Sequence, residues 1–278
     1  MDKYVDSQIC KELRKQIFLT AYAGGTTHLA SSYSCVEILY TLYLKKVMNY
    51  DVDNPSWEKR DRFILSKGHA GLALYTVMCK AGYIREEELK TFLKPGTHIG
   101  GEPCMRDVAG VEATTGSLGH GLSMAVGMAI AQKLDDNGSR TFVVLGDGEC
   151  EEGTIWEAAM SAAAFKLDNL IAILDNNRIQ KMGTIEEAMG FTNWKEKWET
   201  FGWYVQETDG HNVEELYKVL GGANTSGKPK LIIANTVKGK GVSIMENNPI
   251  WHFKSPNKKE LKVFIKELDI SEDEMEMR

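Results

Sequence analysis

Two apolar, strand-like runs with a helix-compatible stretch between them constrain this chain more than any other feature. The first run, Thr141 to Leu145, ends in Gly146-Asp147-Gly148. The second, Leu170 to Leu174, ends in Asp175-Asn176-Asn177. The Ala-rich segment from about Thr154 to Phe165 lies between them. The order strand, turn, helix, strand, turn is that of a βαβ unit in a parallel sheet. Both turns then leave the carboxyl edge of the sheet, where open α/β sheets bind ligands. Asp147 and Asn177 lie 30 positions apart, which fits one such excursion and lets a carboxylate and a carboxamide face one point. Two hard oxygen ligands leave an octahedral Mg²⁺ with positions for a diphosphate and water, and the glycines let backbone approach a phosphate closely.

The same alternation continues along the chain. Residues 6–22 read as a helix with Ile9, Leu13, Ile17 and Ala21 at helical spacing, broken at Gly24-Gly25-Thr26-Thr27. Ser34 and Glu37 have the spacing of a capping box before a helix from Ile38 to Val47. Strands are predicted at Arg62–Leu65, Trp203–Gln206 and Leu231–Ala234. Helices are predicted after His69 to about Cys79, over Leu118–Leu134 and over Val213–Leu220. Residues 94–109, with Pro95 and Pro103, read as a long irregular loop, a length that often marks function. A charged helix, Lys258–Leu268, precedes an acidic, frayed end. At least five strands alternating with helices predict an α/β fold, a doubly wound parallel sheet with helices on both faces. No linker or repeat divides it, so residues 1–278 are read as one domain.

Composition narrows the function. With 43% hydrophobic residues the chain can bury a sizeable core, and a net charge of −6 argues against a nucleic-acid footprint. The N-terminus has no apolar core of a signal peptide, and no run approaches the roughly 20 residues of a membrane span. Five isolated cysteines without a CxxC motif suit a reduced, cytoplasmic setting. Cys150, beside the Asp147 loop, is either a reactive thiol or a packed one.

The Gly-Asp-Gly and Asn-Asn pair resembles the thiamine-diphosphate signature. Leu65-Ser66-Lys67-Gly68-His69-Ala70, the run Gly110 to Gly119, and Lys238-Gly239-Lys240-Gly241 resemble motifs of the transketolase family, in its order and spacing. The match covers about residues 8–256, the diphosphate-binding half of that family. The resemblance implies thiamine diphosphate and Mg²⁺, or Ca²⁺ or Mn²⁺ in its place. Asp147, Asn177 and the backbone carbonyl of Ile179 would be the metal ligands. His69, Gly116, Ser117, Leu118, Gly146, Asp147, Gly148, Glu149, Asn177, Ile179 and His252 would line the cofactor. His28, His69 and His252 would stand at the reacting end. Glu152 matches an acid that couples paired sites across a dimer, although a helix N-terminus also accounts for it. Lys238 and Lys240 would reach diphosphate or substrate, or form a solvated turn.

Four positions depart from the family, one of them His120, which replaces the more familiar glutamine. Thr27 replaces the glycine that usually precedes His28, and Phe253 follows His252 where glycine is common. Glu102 stands where the family has a histidine in Gly-His-Pro. Either Glu102 takes part in the chemistry or binds the donor, or His98 fills the vacant place. A carboxylate there disfavours a nearby phosphate.

In the family, a glutamate that activates the cofactor comes from a second domain of the partner protomer. This chain has no room for that domain. The resemblance therefore implies the N-terminal subunit of a split transketolase, working with a C-terminal subunit in an α₂β₂ heterotetramer, with no nucleic-acid or membrane partner. The expected reaction is transfer of a two-carbon ketol unit from a ketose to an aldose, with a sugar or sugar phosphate as substrate. The alternatives are the α subunit of a 2-oxoacid dehydrogenase or decarboxylase, and a non-catalytic cofactor-binding subunit.

Overall fold

A computed structural model describes residues 3–25, 28–190 and 193–276. The first helix breaks where expected, α1 ending at Gly24 with Gly25 at φ 124°, while Thr26 and Thr27, and with them the departure before His28, lie outside the described residues. In chain order the elements are α1 (Lys3–Gly24), α2 (Leu29–Ser34), α3 (Val36–Tyr43), β1 (Arg62–Leu65), α4 (Gly71–Ala81), α5 (Glu86–Leu89) and α6 (His120–Leu134). There follow β2 (Thr141–Gly146), α7 (Gly153–Ala164), β3 (Leu170–Asn176), a small hairpin of β4 (Ile179–Gln180) and β5 (Gly183–Thr184), α8 (Ile185–Met189) and α9 (Trp194–Thr200). The last are β6 (Tyr204–Asp209), α10 (Val213–Gly221), β7 (Lys230–Asn235), α11 (Lys258–Glu267) and α12 (Glu272–Glu276). Single 3₁₀ turns cover Gly68–Ala70, Gly148–Glu151 and Pro249–Phe253.

The main sheet has the order β1-β2-β3-β7-β6, and every pair in it is parallel. All six residues of β2 are buried, as expected of a parallel strand covered on both faces. Alternate residues feed two cores. Phe142, Val144, Ile171, Ile173 and Ile232 pack under α1, α3, α4, α10 and α11. Val143, Leu145, Ala172, Leu174 and Ile233 pack under α6, α7 and α9. The period-two alternation thus becomes a three-layer, doubly wound domain.

Two expectations fail locally. Ser34 and Glu37 form no capping box: Ser34 ends α2, Cys35 precedes α3, and that helix start has no side-chain cap. The reason is competition from stronger partners. Ser34 Oγ donates to Asp175 at 2.6 Å, and Glu37 is taken by Arg14 through two bonds of 2.7 Å. The acidic tail is not frayed up to residue 276, because Glu274 pairs with Lys15 of α1 at 2.6 Å and α12 forms.

Candidate active site

The register puts the two signature turns side by side. Gly146 at the end of β2 pairs with Asp175 near the end of β3, so Asp147 and Asn177 leave neighbouring strands at the same edge. Both are buried, at 3% and 6% exposure. Asp147 accepts the amide of Gly148 at 2.8 Å and, through its other oxygen, that of Arg178. Asn177 Oδ1 accepts the amide of Ile179 at 3.2 Å. Between the two expected ligands, Arg178 adopts a left-handed φ of 62°. A non-glycine residue there is uncommon, and it turns the chain sharply enough to bring Asn177 and Ile179 to one place.

Charge is concentrated beneath this turn. Lys67 and Asp175 form an ion pair at 1% and 0% side-chain exposure. Asp175 also accepts from Ser34 and Thr236. Burial pushes the Asp175 carboxyl up, but Lys67 and its hydrogen bonds outweigh this and hold it below its usual value. Asp147 is raised to about 6, by burial and then by the neighbouring Asp175 carboxylate. A buried anion raised in this way is relieved by a cation in contact with it.

The histidines meet from three distant segments. His28 lies 5.2 Å from His69 and 5.3 Å from His252, ring centre to ring centre, and His69 lies 5.8 Å from His252. Phe253 packs against His28 at 4.9 Å and is 57% exposed. Burial, then nearby lysines, lowers all three imidazoles, His252 to about 3. They are therefore neutral near pH 7 and keep a lone pair for proton transfer.

Lys238 joins the two halves. Its side chain is 2% exposed, and its ammonium donates to the Ile179 carbonyl at 2.6 Å and to His252 Nδ1 at 3.0 Å. Because an ammonium only donates, His252 carries its proton on Nε2. Burial, then Lys67, lowers Lys238 to about 8. Lys238 is thus no solvated turn residue. Lys240 is 40% exposed and faces Glu246.

The remaining residues fall into place unequally. Gly68 approaches Gly116 so closely that a Cβ on it would lie 2.6 Å from the Gly116 amide nitrogen. Gly116 has φ +136°, and the Glu102 carboxylate lies where a Cβ on Gly116 would stand. Among the described residues that carboxylate has no hydrogen-bond or ion-pair partner. His98 is 47% exposed and faces Glu88 of α5 at 3.9 Å, and no ring contact joins it to the three histidines. Ser117 is exposed and Leu118 half-buried. Glu149 is 2% exposed and turned inward, bonded to Ser66 and to the amides of Gly119 at 2.9 Å and Gly146 at 3.0 Å. It shapes the loop. Glu152 is exposed at the N-terminus of α7 without a capping bond. Cys150 is fully buried with its thiol pushed well up, first by burial, so it is a packed thiol; all five cysteines are free.

Sequence reasoning missed the Lys67–Asp175 pair, although both residues lie inside the motifs that carry the family resemblance. The signal was a lysine and an aspartate at the ends of apolar strands. Among the described residues no three His, Cys, Asp or Glu side chains form a metal cluster, and no helix is long and apolar enough to cross a membrane. The expected metal set, one carboxylate, one amide and one carbonyl, is of another kind. Buried oxygen donors beside a close-approach glycine loop, with the Lys238 ammonium on the Ile179 carbonyl, fit a metal-bound diphosphate.

Comparison with known proteins agrees with this geometry. Residues 8–274 match the family model described as transketolase, thiamine diphosphate binding domain. The chain belongs to the transketolase family. It is 41% identical over 256 residues to one of the subunits of apulose-4-phosphate transketolase from Phocaeicola vulgatus, covering 92% of this chain and 90% of that protein. It is 44% identical over 229 residues to a 6-deoxy-6-sulfo-D-fructose transketolase subunit of a Clostridium species, covering 82% and 83%. Human transketolase is 40% identical over 247 residues, 88% of this chain but 39% of that protein. The crystal structure of Campylobacter jejuni transketolase superposes with a TM-score of 0.89 at 30% identity, covering all of this chain and 46% of that one. The chain thus spans less than half of these two longer transketolases and most of the two subunits.

Proposed function

We propose that this chain is the diphosphate-binding subunit of a split transketolase, transferring a two-carbon ketol unit between sugars only when a second subunit is present. One observation carries the reading. Lys238 touches both Ile179 of the oxygen-donor turn and His252 of the histidine cluster, so cofactor site and reacting site are one. Extensive coverage of two proteins named as transketolase subunits favours this over the α chain of a 2-oxoacid dehydrogenase. The intact histidine cluster disfavours a non-catalytic role.

Asp147, Asn177 and the Ile179 carbonyl would hold Mg²⁺, with Ca²⁺ or Mn²⁺ able to replace it. Gly116 and Gly148 let the backbone approach the cofactor. Thiamine diphosphate, when bound, supplies the carbon nucleophile. His28 and His69, neutral and desolvated, are placed to take a proton from a sugar hydroxyl. His252 Nε2–H donates to a sugar oxygen. Glu102 faces the Gly116 loop and selects donors without a phosphate near the reacting end.

The partner, a C-terminal transketolase subunit, would bring the activating glutamate in an α₂β₂ assembly. The free thiols suit the cytoplasm. The test is reconstitution with that partner, thiamine diphosphate, Mg²⁺ and a panel of ketoses. Ketol transfer without CO₂ release, needing both chains, is expected. Turnover by this chain alone overturns the split, and CO₂ release from a 2-oxoacid overturns ketol transfer.

A further inference from the structure

Beyond the end of β7 the chain leaves the sheet and enters the site within three residues. Asp209 of β6 and Asn235 of β7 are the last paired positions, and the Gly210 amide adds one more bond to the Asn235 carbonyl at 2.8 Å. On the other side the Thr236 amide donates to Asn176 at 3.2 Å. Val237 has run past both neighbouring strands, so its amide has no ladder carbonyl to reach. It donates instead to His211 Nε2 at 2.8 Å. The imidazole takes the place of the next carbonyl in the ladder.

That bond fixes the tautomer. Nε2 must present its lone pair to the Val237 N–H, so the ring proton sits on Nδ1 and is donated to Glu37 at 2.9 Å. Glu37 is itself held by the Arg14 guanidinium through two bonds of 2.7 Å, and Arg14 is 5% exposed. A carboxylate on one nitrogen orients the ring and leaves the other as an acceptor. The next residue after Val237 is Lys238, whose ammonium spans Ile179 and His252. The Gly239 amide is then tied to Ala30 of α2 at 3.0 Å. Lys238 is therefore clamped on both sides, and His211 is the side-chain half of the clamp.

We propose that His211 is a positioning residue for Lys238: by accepting the Val237 amide, it aims the Lys238 ammonium into the cofactor site and sets cofactor affinity. The inference rests on the reading that Lys238 serves the bound diphosphate. None of the sequence motifs of the site contains His211, and it touches none of the expected ligands.

The test measures thiamine-diphosphate binding by calorimetry, with Mg²⁺, on the chain assembled with its partner. His211→Phe keeps a ring but removes the acceptor, and should raise Kd about tenfold, as loss of a supporting partner commonly does. His211→Gln keeps an oxygen for the Val237 amide and should stay within about threefold of wild type. Lys238→Met should also weaken binding, and adding His211→Phe to it should cause no further loss, because residues acting through one another are non-additive. If His211→Phe does not fold, Glu37→Gln repeats the test, since a carboxamide turns an N–H₂ against one of the three donors that Arg14 and the imidazole aim at Glu37. Its loss should likewise vanish in the Lys238→Met background. Additive losses, or wild-type affinity in His211→Phe, overturn the role of His211. Wild-type affinity in Lys238→Met instead removes the premise about Lys238. Failure of the unmodified assembly to bind thiamine diphosphate sinks the function itself.

Discussion

Asp147 and Asn177 stand at the ends of two hydrogen-bonded strands joined by one helix, whereas His28, His69 and His252 come from the start of α2, the turn after β1 and a 3₁₀ turn after β7. The oxygen-donor side is built from a continuous βαβ unit, and each of its side chains is held by backbone amides within or beside that unit. The histidine side has no such local frame. Its rings hold one another at 5.2 to 5.8 Å, and among the described residues the one polar bond between a ring and the rest of the site comes from Lys238. Lys67 and Asp175 lie under both. Lys67 precedes His69 by two residues, and Asp175 precedes Asn177 by two. This buried ion pair thus ties the segment that carries His69 to the segment that carries Asn177.

Variants that separate the two sides should do so in a definite order. Asp147→Ala should carry the largest effect, taking thiamine-diphosphate binding with Mg²⁺ below calorimetric detection while the melting curve shows an intact fold. Unchanged affinity would remove Asp147 from the metal site. His69→Ala should weigh the other way, weakening cofactor affinity far less than Asp147→Ala does and lowering kcat of the assembled enzyme by about 10²- to 10⁴-fold. A comparable loss of cofactor binding would mean that the two sides are not separable.

Lys67→Met should strike both sides through stability. It leaves Asp175 as an unpaired buried charge and should cost about 3–5 kcal/mol in urea unfolding. Adding Asp175→Asn should recover most of this, since removing both charges of a buried pair is far less costly than removing one. No recovery in the double variant would assign Lys67 a role other than neutralising Asp175. The smallest effect is expected at Glu102. Glu102→His should shift donor preference toward ordinary ketose phosphates by about tenfold, or 1.4 kcal/mol, with cofactor affinity unchanged. If that panel is unmoved while His98→Ala alters it, the selecting residue is His98.

The unequal construction of the two sides explains what could be read before the fold was known. Strand, turn, helix and strand from Thr141 to Asn177 are specified by local pattern: β-branched and Leu-rich runs, an Ala-rich helix, and glycines at the turns. Such a unit places its own turn residues, so Asp147 and Asn177 could be paired from spacing alone. The motifs around His69 and Lys238 carried the family. Chemistry alone could not tell which side of Lys238 mattered. A Lys-Gly turn is usually solvated, and only burial at 2% exposure shows that this one is not.

Tertiary structure decided the rest, for one physical reason: a polar side chain is committed by the strongest partner the fold delivers. Ser34 and Glu37 have the spacing of a cap, yet Asp175 and Arg14, remote in sequence, claim them. Glu149 sits in the signature and reads as a cofactor ligand, yet three donors from the end of β1, the end of β2 and the start of α6 turn it inward. His98 and Glu102 share one irregular loop, and only its path sends one toward Glu88 and the other against Gly116. The sequence determined the parallel α/β sheet, the placing of Asp147 and Asn177 at neighbouring strand ends and the transketolase kinship, because these depend on period, turn chemistry and motif. The pairing of buried charges, the meeting of the three histidines and the clamp on Lys238 depend on contacts across the whole chain, which no local pattern encodes.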